Sequence, residues 1–152
     1  PDKDGLSKDY VIRTIYDPCC GTGGMLTTFQ NLLREINATA SIQLFGQEVN
    51  PETFAVCKSD LYMKSAEGKE AENIYLGSTL SNDQLKNMTF DYMVTNPPYG
   101  KNWRADERFV KEEHKRGYAG RFGAGYPRGR KSYCHYYEWL TTIYWRCWQW
   151  GK

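Results

Sequence analysis

The sequence predicts an α/β fold, a parallel sheet with flanking helices. Three observations carry that expectation. Short β-rich runs alternate with stretches of helical periodicity; each run stops abruptly at proline, glycine or a polar residue; and the residues best suited to bind a ligand stand at those stops. Strands joined through helical crossovers lie parallel in one sheet.

Residues 11–17 (VIRTIYD) form the first β-rich run, which ends at Pro18 and is followed by glycines 21, 23 and 24. Met25, Leu26, Phe29, Leu32, Leu33 and Ile36 then fall at helical spacing, which predicts one buried helix face. Residues 41–48 (SIQLFGQE) read as a second strand with Ile42 and Leu44 on one face. Asn50-Pro51 supplies an N-cap and a proline at the first helical position, and Phe54, Cys57 and Leu61 mark the buried stripe of a second helix. Residues 65–72 are expected as a polar turn region, and residues 73–76 as a weak third strand ending at Gly77. After a turn or short helix at Ser81-Asn82-Asp83, residues 90–95 (FDYMVT) form a fourth strand, stopped by Asn96-Pro97-Pro98.

Beyond Gly100 the texture changes. Residues 101–131 are rich in Lys, Arg and Gly with Trp103, Phe109, Tyr118 and Phe122 interspersed, predicting a long loop with a helix near residues 106–116. Residues 132–150 hold four of the five tryptophans, a composition no earlier segment shares. Charge divides in the same place. Residues 1–99 carry 8 Lys/Arg against 13 Asp/Glu, whereas residues 100–152 carry 12 against 5. A basic second half suits an anion such as a phosphate backbone, and an ordinary solvated loop is the alternative.

At 152 residues there is room for one domain, and the composition is that of an ordinary folded protein. No apolar run is long enough to cross a bilayer, so no membrane association is expected. The polar start without Met or signal sequence reads as the middle of a longer, cytoplasmic chain. The cysteines 19, 20, 57, 134 and 147 are odd in number and form no C-x-x-C pair, so reduced thiols are expected and no metal site.

Three strand ends carry the chemistry. The first is Asp17-Pro18-Cys19-Cys20-Gly21-Thr22-Gly23-Gly24, where a carboxylate can accept from a ligand ammonium and glycines let the backbone approach closely. It is neither a dinucleotide fingerprint nor a phosphate loop. The second is Glu48, placed where nucleotide-binding α/β folds hold a ribose diol. The third is Asn96-Pro97-Pro98-Tyr99: a stiff turn whose Asn oxygen and Pro97 carbonyl suit one exocyclic amino group, with Tyr99 offering a stacking face. Each alone also reads as an ordinary turn; their joint placement favours a site.

The blocks DPCCGTGGML, FGQEVNPETFAVCKSDLYM, LGSTLSNDQL and FDYMVTNPPYGKNW, spread over most of residues 11–125, resemble the adenine-N6 DNA methyltransferases of restriction–modification systems. The resemblance is best to the modification subunit of type I systems. It implies a Rossmann-like S-adenosylmethionine-dependent methyltransferase fold, here incomplete. It further implies methyl transfer from S-adenosylmethionine to adenine N6 in DNA, with specificity and restriction subunits as partners and no metal. By the same resemblance Asp17, Gly21, Thr22 and Gly23 hold the methionine part of the cofactor, and Glu48 takes its ribose hydroxyls. Ser78 stands where related enzymes carry an acidic or amide residue toward the cofactor adenine, so the resemblance implies a weaker contact there, or one made by Thr79 or a backbone group. Asn96, Pro97, Pro98 and Tyr99 receive a target adenine turned out of the duplex. Methyltransferases acting on protein glutamine or on guanine N2 in RNA share N-P-P-Y; the G-Q-E-V-N-P-E-T block and the basic loop favour DNA.

Residues 1–127 are thus expected to be a partial catalytic domain. Residues 128–152 depart from the family pattern and read as a disordered or frame-shifted tail, while the family's N-terminal helical region is missing. A non-catalytic remnant is the alternative of a different class, and Lys101, Arg104, Arg108 and Lys111 are the expected phosphate contacts.

Overall fold

A computed structural model of the chain describes residues 5–65, 68–86, 88–98 and 102–122. Expectations falling on residues 128–152, and on Tyr99 and Lys101, lie outside the described residues. The chain divides into two units, Pro1–Thr79 with Phe90–Asn96, and Leu80–Thr89 with Pro97–Lys152.

In the first unit, β1 (Ile12–Asp17), β2 (Ser41–Glu48), β3 (Ile74–Leu76) and β4 (Tyr92–Met93) form a parallel sheet in the order β3-β2-β1-β4. Helix α1 (Gly24–Ile36) joins β1 to β2, and α2 (Pro51–Lys64) with the short α3 (Lys69–Glu72) joins β2 to β3. The chain then returns to the far side of β1 to add β4. Strand order therefore reverses between β1 and β4, and the carboxyl ends beside such a reversal are where open parallel sheets bind ligands.

Period-two alternation sorts the strand side chains. Ile15, Ile42, Leu44 and Ile74 join Leu26 and Leu33 of α1, and Cys57 and Leu61 of α2, in one buried cluster. Each fully buried leucine in it contributes roughly 1.5–3 kcal/mol. Tyr16 and Phe45 are left out of that cluster; Phe90 stacks on Tyr16 at 4.5 Å and lies 5.2 Å from Phe45. The start of α2 matches expectation: Asn50 accepts from the backbone of Glu52 (2.8 Å) and Thr53 (3.3 Å), and Pro51 opens the helix.

Three expectations are corrected. The buried stripe of α1 is Leu26, Gln30 and Leu33, while Met25, Leu32 and Ile36 are exposed. A buried glutamine is tolerated because its amide donates to Glu70 (2.6 Å) and reaches the Ile42 carbonyl (3.4 Å). The polar stretch before β3 contains α3, whose Glu70 also meets Arg34 at 3.4 Å. The fourth strand is shorter than its apolar run. Asp91 takes the Thr14 amide (2.8 Å) and hydroxyl (2.9 Å) on its carboxylate, so backbone pairing starts only at Tyr92.

The second unit packs Leu80, Trp103, Val110 and Phe122 together, with Val110 supplied by α4 (Glu107–His114). That helix lies within the stretch expected to be helical. Arg121 organises the polar side: it meets Asp83 at 3.0 Å and Glu113 at 2.7 and 2.8 Å, and reaches the Leu80 carbonyl at 3.3 Å. Burial raises the Glu113 carboxyl, but the Arg121 contacts outweigh it and hold it below its ordinary range. A depressed carboxyl contributes stability above its unfolded pKa, and that contribution disappears as pH falls through the folded value. Arg121→Met is expected to destabilise this unit by about 3 kcal/mol at neutral pH, because it strands two carboxylates. Denaturant unfolding at pH 7 and pH 3.5 checks this, with the loss shrinking at the lower pH.

Of the expected phosphate contacts, Arg108 pairs with Glu112 (3.1 Å) and Lys111 with Glu107, both one turn apart on α4, while Arg104 is exposed. Exposed pairs of this kind are worth a few tenths of a kcal/mol, so a phosphate can displace the carboxylate cheaply.

Candidate active site

The central strand β1 delivers Asp17 to the sheet's carboxyl edge opposite Gly46 of β2, only 2 % exposed. Its carboxylate accepts from the Cys19 amide at 3.0 Å and from the Thr95 hydroxyl. Burial nevertheless dominates and pushes its pKa up to about 6, with the Glu48 charge adding to the rise. This carboxylate lacks a positive neighbour among the groups that shift it, which suits it to a cationic ligand group.

The turn after Asp17 is anchored to β2 by the Cys20 amide, which donates to the Gln47 carbonyl at 3.0 Å. Two glycines there have different reasons. Gly21 adopts φ 54°, and a side chain on it would meet open space, so the loop leaves room against its backbone. Gly23 adopts φ 82°, and a Cβ there would lie 2.7 Å from the Cys57 sulfur, so it is glycine because α2 packs against it. Thr22 between them is exposed. Beneath the loop the Cys20 and Cys57 thiols hydrogen-bond to each other, and that bond together with burial holds Cys20 well above the ordinary thiol range. Cys19, Cys20 and Cys57 are unbridged.

Glu48 ends β2 and ties two backbones to itself. One carboxylate oxygen accepts from the Gly21 amide (2.8 Å), the other from the Asn50 amide at the start of α2 (2.7 Å). Each oxygen keeps a second lone pair for a ligand hydroxyl. At the end of β3 the Gly77 amide donates to the Glu48 carbonyl at 2.9 Å, and Ser78 and Thr79 follow, both half-buried. The Thr79 hydroxyl donates to the Pro18 carbonyl, fastening this segment to the Asp17 turn.

The structure therefore brings Asp17, Gly21, Gly23, Glu48 and Thr79 into one connected set. Asn96 follows β4 by three residues and is exposed; Pro97 is buried, Pro98 is exposed, and Tyr99 is not among the described residues. Two residues missed from sequence join the set. Cys19 and Thr95 lie with Sγ and Oγ1 2.9 Å apart, and both bond to Asp17. Burial and the Asp17 charge push the Cys19 thiol up to about 12, so it stays protonated. Only the position of Thr95 immediately before Asn96 could have drawn attention to it. Among the described residues no group of three or more His, Cys, Asp or Glu side chains is placed to hold a metal ion, and no helix is long and apolar enough to cross a membrane.

The sequence is similar to the methylase subunits of two type I restriction enzymes of Methanocaldococcus jannaschii. It is 33% identical to the MjaIX subunit over 95 residues (61% of this chain, 16% of that one) and 33% identical to the MjaVII subunit over 85 residues (56% and 14%). The chain thus spans about one sixth of the length of these relatives. In structure it resembles the methyltransferase subunit of a type I restriction–modification system from Streptococcus thermophilus, with TM-score 0.61 and 24% identity over 97% of this chain and 29% of that one. A protein in the DrdV–DNA complex shares the fold at TM-score 0.55 and 18% identity, over 95% of this chain and 17% of that one. The N-6 DNA methylase family description matches residues 6–143. With that match over nearly its whole length, and with the glycine turn and strand-end carboxylates in place, the chain belongs to the N-6 DNA methylase family.

Proposed function

We propose that this chain is the cofactor-binding and target-base portion of an adenine-N6 DNA methyltransferase acting as the modification subunit of a type I restriction–modification system. The observation that carries the reading is the pair of buried carboxylates, Asp17 and Glu48, on either side of a Gly21 whose backbone borders open space. A ligand with an ammonium at one end and a vicinal diol at the other matches that pair, and S-adenosylmethionine has both. When bound, it supplies an electrophilic methyl on a sulfonium sulfur. Asp17 accepts from the ammonium, the backbone at residues 21–23 borders the methionine part, and the free lone pairs of Glu48 accept from the ribose hydroxyls. Ser78 and Thr79 border the cofactor adenine.

Adenine N6 is a weak nucleophile because its lone pair is delocalised into the ring. The Asn96 side-chain oxygen and the Pro97 carbonyl accept from the amino hydrogens, which draws the nitrogen toward a tetrahedral shape and frees the lone pair to attack. Pro98 stiffens the turn and Tyr99 stacks on the base. Partners consistent with this role are DNA, a specificity subunit that reads the sequence, and a restriction subunit, in the cytoplasm. The relatives being type I methylase subunits favours DNA over glutamine or guanine-N2 substrates.

Calorimetric titration tests the cofactor half. S-adenosylmethionine is expected to bind about tenfold more weakly at pH 5 than at pH 8, because Asp17 loses its charge below about 6. 5′-Methylthioadenosine, which lacks the ammonium, is expected to bind equally at both. Absence of saturable binding, or the same pH dependence for both ligands, would refute the assignment of Asp17.

A further inference from the structure

Thr95 is the residue before Asn96, and its hydroxyl reaches the turn after β1. Its Oγ1 lies 2.9 Å from the Cys19 sulfur and bonds to the Asp17 carboxylate, while the Cys19 amide donates to the same carboxylate at 3.0 Å. The donors assign the direction. A carboxylate only accepts, so the Thr95 hydroxyl and the protonated Cys19 thiol are both donors to Asp17, and the two donors lie side by side. Val94 carries the backbone counterpart, its amide donating to the Tyr16 carbonyl at 3.0 Å. Beyond that backbone bond, this hydroxyl is a side-chain link between the segment leading from β4 to Asn96 and the carboxylate assigned to the ammonium.

We propose that Thr95 is a positioning residue, which holds the Asn96 strand end against the cofactor turn through Asp17 and thereby couples ammonium binding to placement of the target amino group. The inference rests on the assignment of Asp17 to the ammonium made above. Two consequences separate it from a merely structural threonine. First, the hydroxyl favours the ionised form of Asp17, opposing the burial that disfavours it. The other groups acting on Asp17 are Glu48 from β2 and the Cys19 thiol, with the protonated Cys20 and Cys57 pair nearby. Of these only the Cys19 thiol is a side-chain donor to Asp17, so removing the Thr95 hydroxyl takes away one of two such donors. Second, freeing the strand end misplaces Asn96 without touching the cofactor, so turnover falls while cofactor affinity at high pH survives.

The test uses Thr95→Val, which keeps the shape and removes the donor, beside Thr95→Ser, which restores it. S-adenosylmethionine binding is titrated between pH 5 and pH 8.5, and methyl transfer to DNA is measured in the assembled modification complex. The Val variant is expected to move the binding midpoint up by about one pH unit and to lower kcat at least tenfold. KM for the cofactor at pH 8.5 should stay within threefold, and the Ser variant should recover both properties. An unmoved midpoint with unchanged kcat overturns the inference, as does a Ser variant no better than Val. Should wild type show no pH-dependent cofactor binding, the assignment of Asp17 fails first and the inference falls with it.

Discussion

Replacing Glu48 with Gln is expected to weaken S-adenosylmethionine binding about a hundredfold, nearly as much as replacing it with Ala. The similarity of the two follows from the backbone. Glu48 accepts from the Gly21 amide on one oxygen and the Asn50 amide on the other. Whichever way a Gln amide turns, its NH2 faces one of those N–H donors, so one contact becomes a repulsion. Loss of the charge also weakens the two ribose hydrogen bonds, together worth about 3 kcal/mol, and 1.4 kcal/mol corresponds to tenfold in affinity. Calorimetry on the three proteins checks this. A Gln variant within threefold of wild type would show that the diol is held elsewhere.

Asp17→Asn is expected to act in opposite directions on stability and on binding. The buried carboxyl has its pKa raised to about 6 from an ordinary value of 3.8. The folded state therefore binds this proton more tightly than the unfolded chain, so the contribution of Asp17 is most favourable below pH 4 and is lost as pH rises through 6. A shift of that size corresponds to roughly 3 kcal/mol, all of it present as a penalty at neutral pH. Asn removes the charge and keeps one acceptor for the Cys19 amide, so the ligand-free variant should be more stable than wild type by about 2 kcal/mol at pH 7.5 and nearly equal to it at pH 4. The same variant loses the cation's partner and should bind S-adenosylmethionine at least a hundredfold more weakly. Denaturant unfolding at the two pH values, beside a titration, reads both effects. A variant less stable than wild type at pH 7.5 would mean that the hydrogen bonds, not desolvation, govern this carboxyl.

The sheet and the strand ends that carry the candidate site were legible because they depend on local pattern. The alternating apolar runs, the Asn50-Pro51 helix start and the strand-end acids announce themselves within a few residues. What escaped depends on contacts distant in sequence. Nothing local distinguishes Leu32 from Leu33; the face that packs on the sheet with Leu26 and Leu33 also carries Gln30, whose partner Glu70 lies forty residues away. The shortness of β4 follows from Asp91 capturing the amide and hydroxyl of Thr14, and the part played by Thr95 from Cys19, seventy-six residues away. Nor does the sequence show that a side chain at Gly23 would run into the Cys57 sulfur of α2.

The sheet order also sets a sequence of assembly. β1 and β2 pair across a separation of 29 residues, and β3 joins beside them, so the strands bearing Asp17 and Glu48 can form as soon as residue 76 has left the ribosome. β4 pairs with β1 only after a further stretch of chain, across 77 residues, and with two residues in register. Closing that longer loop costs about 1 kcal/mol more in chain entropy, against a contact a fraction of the size. On chain entropy alone, docking of β4 beside β1 is therefore expected to be the late step. A ligand bound only by the completed set of strand ends would favour that last docking.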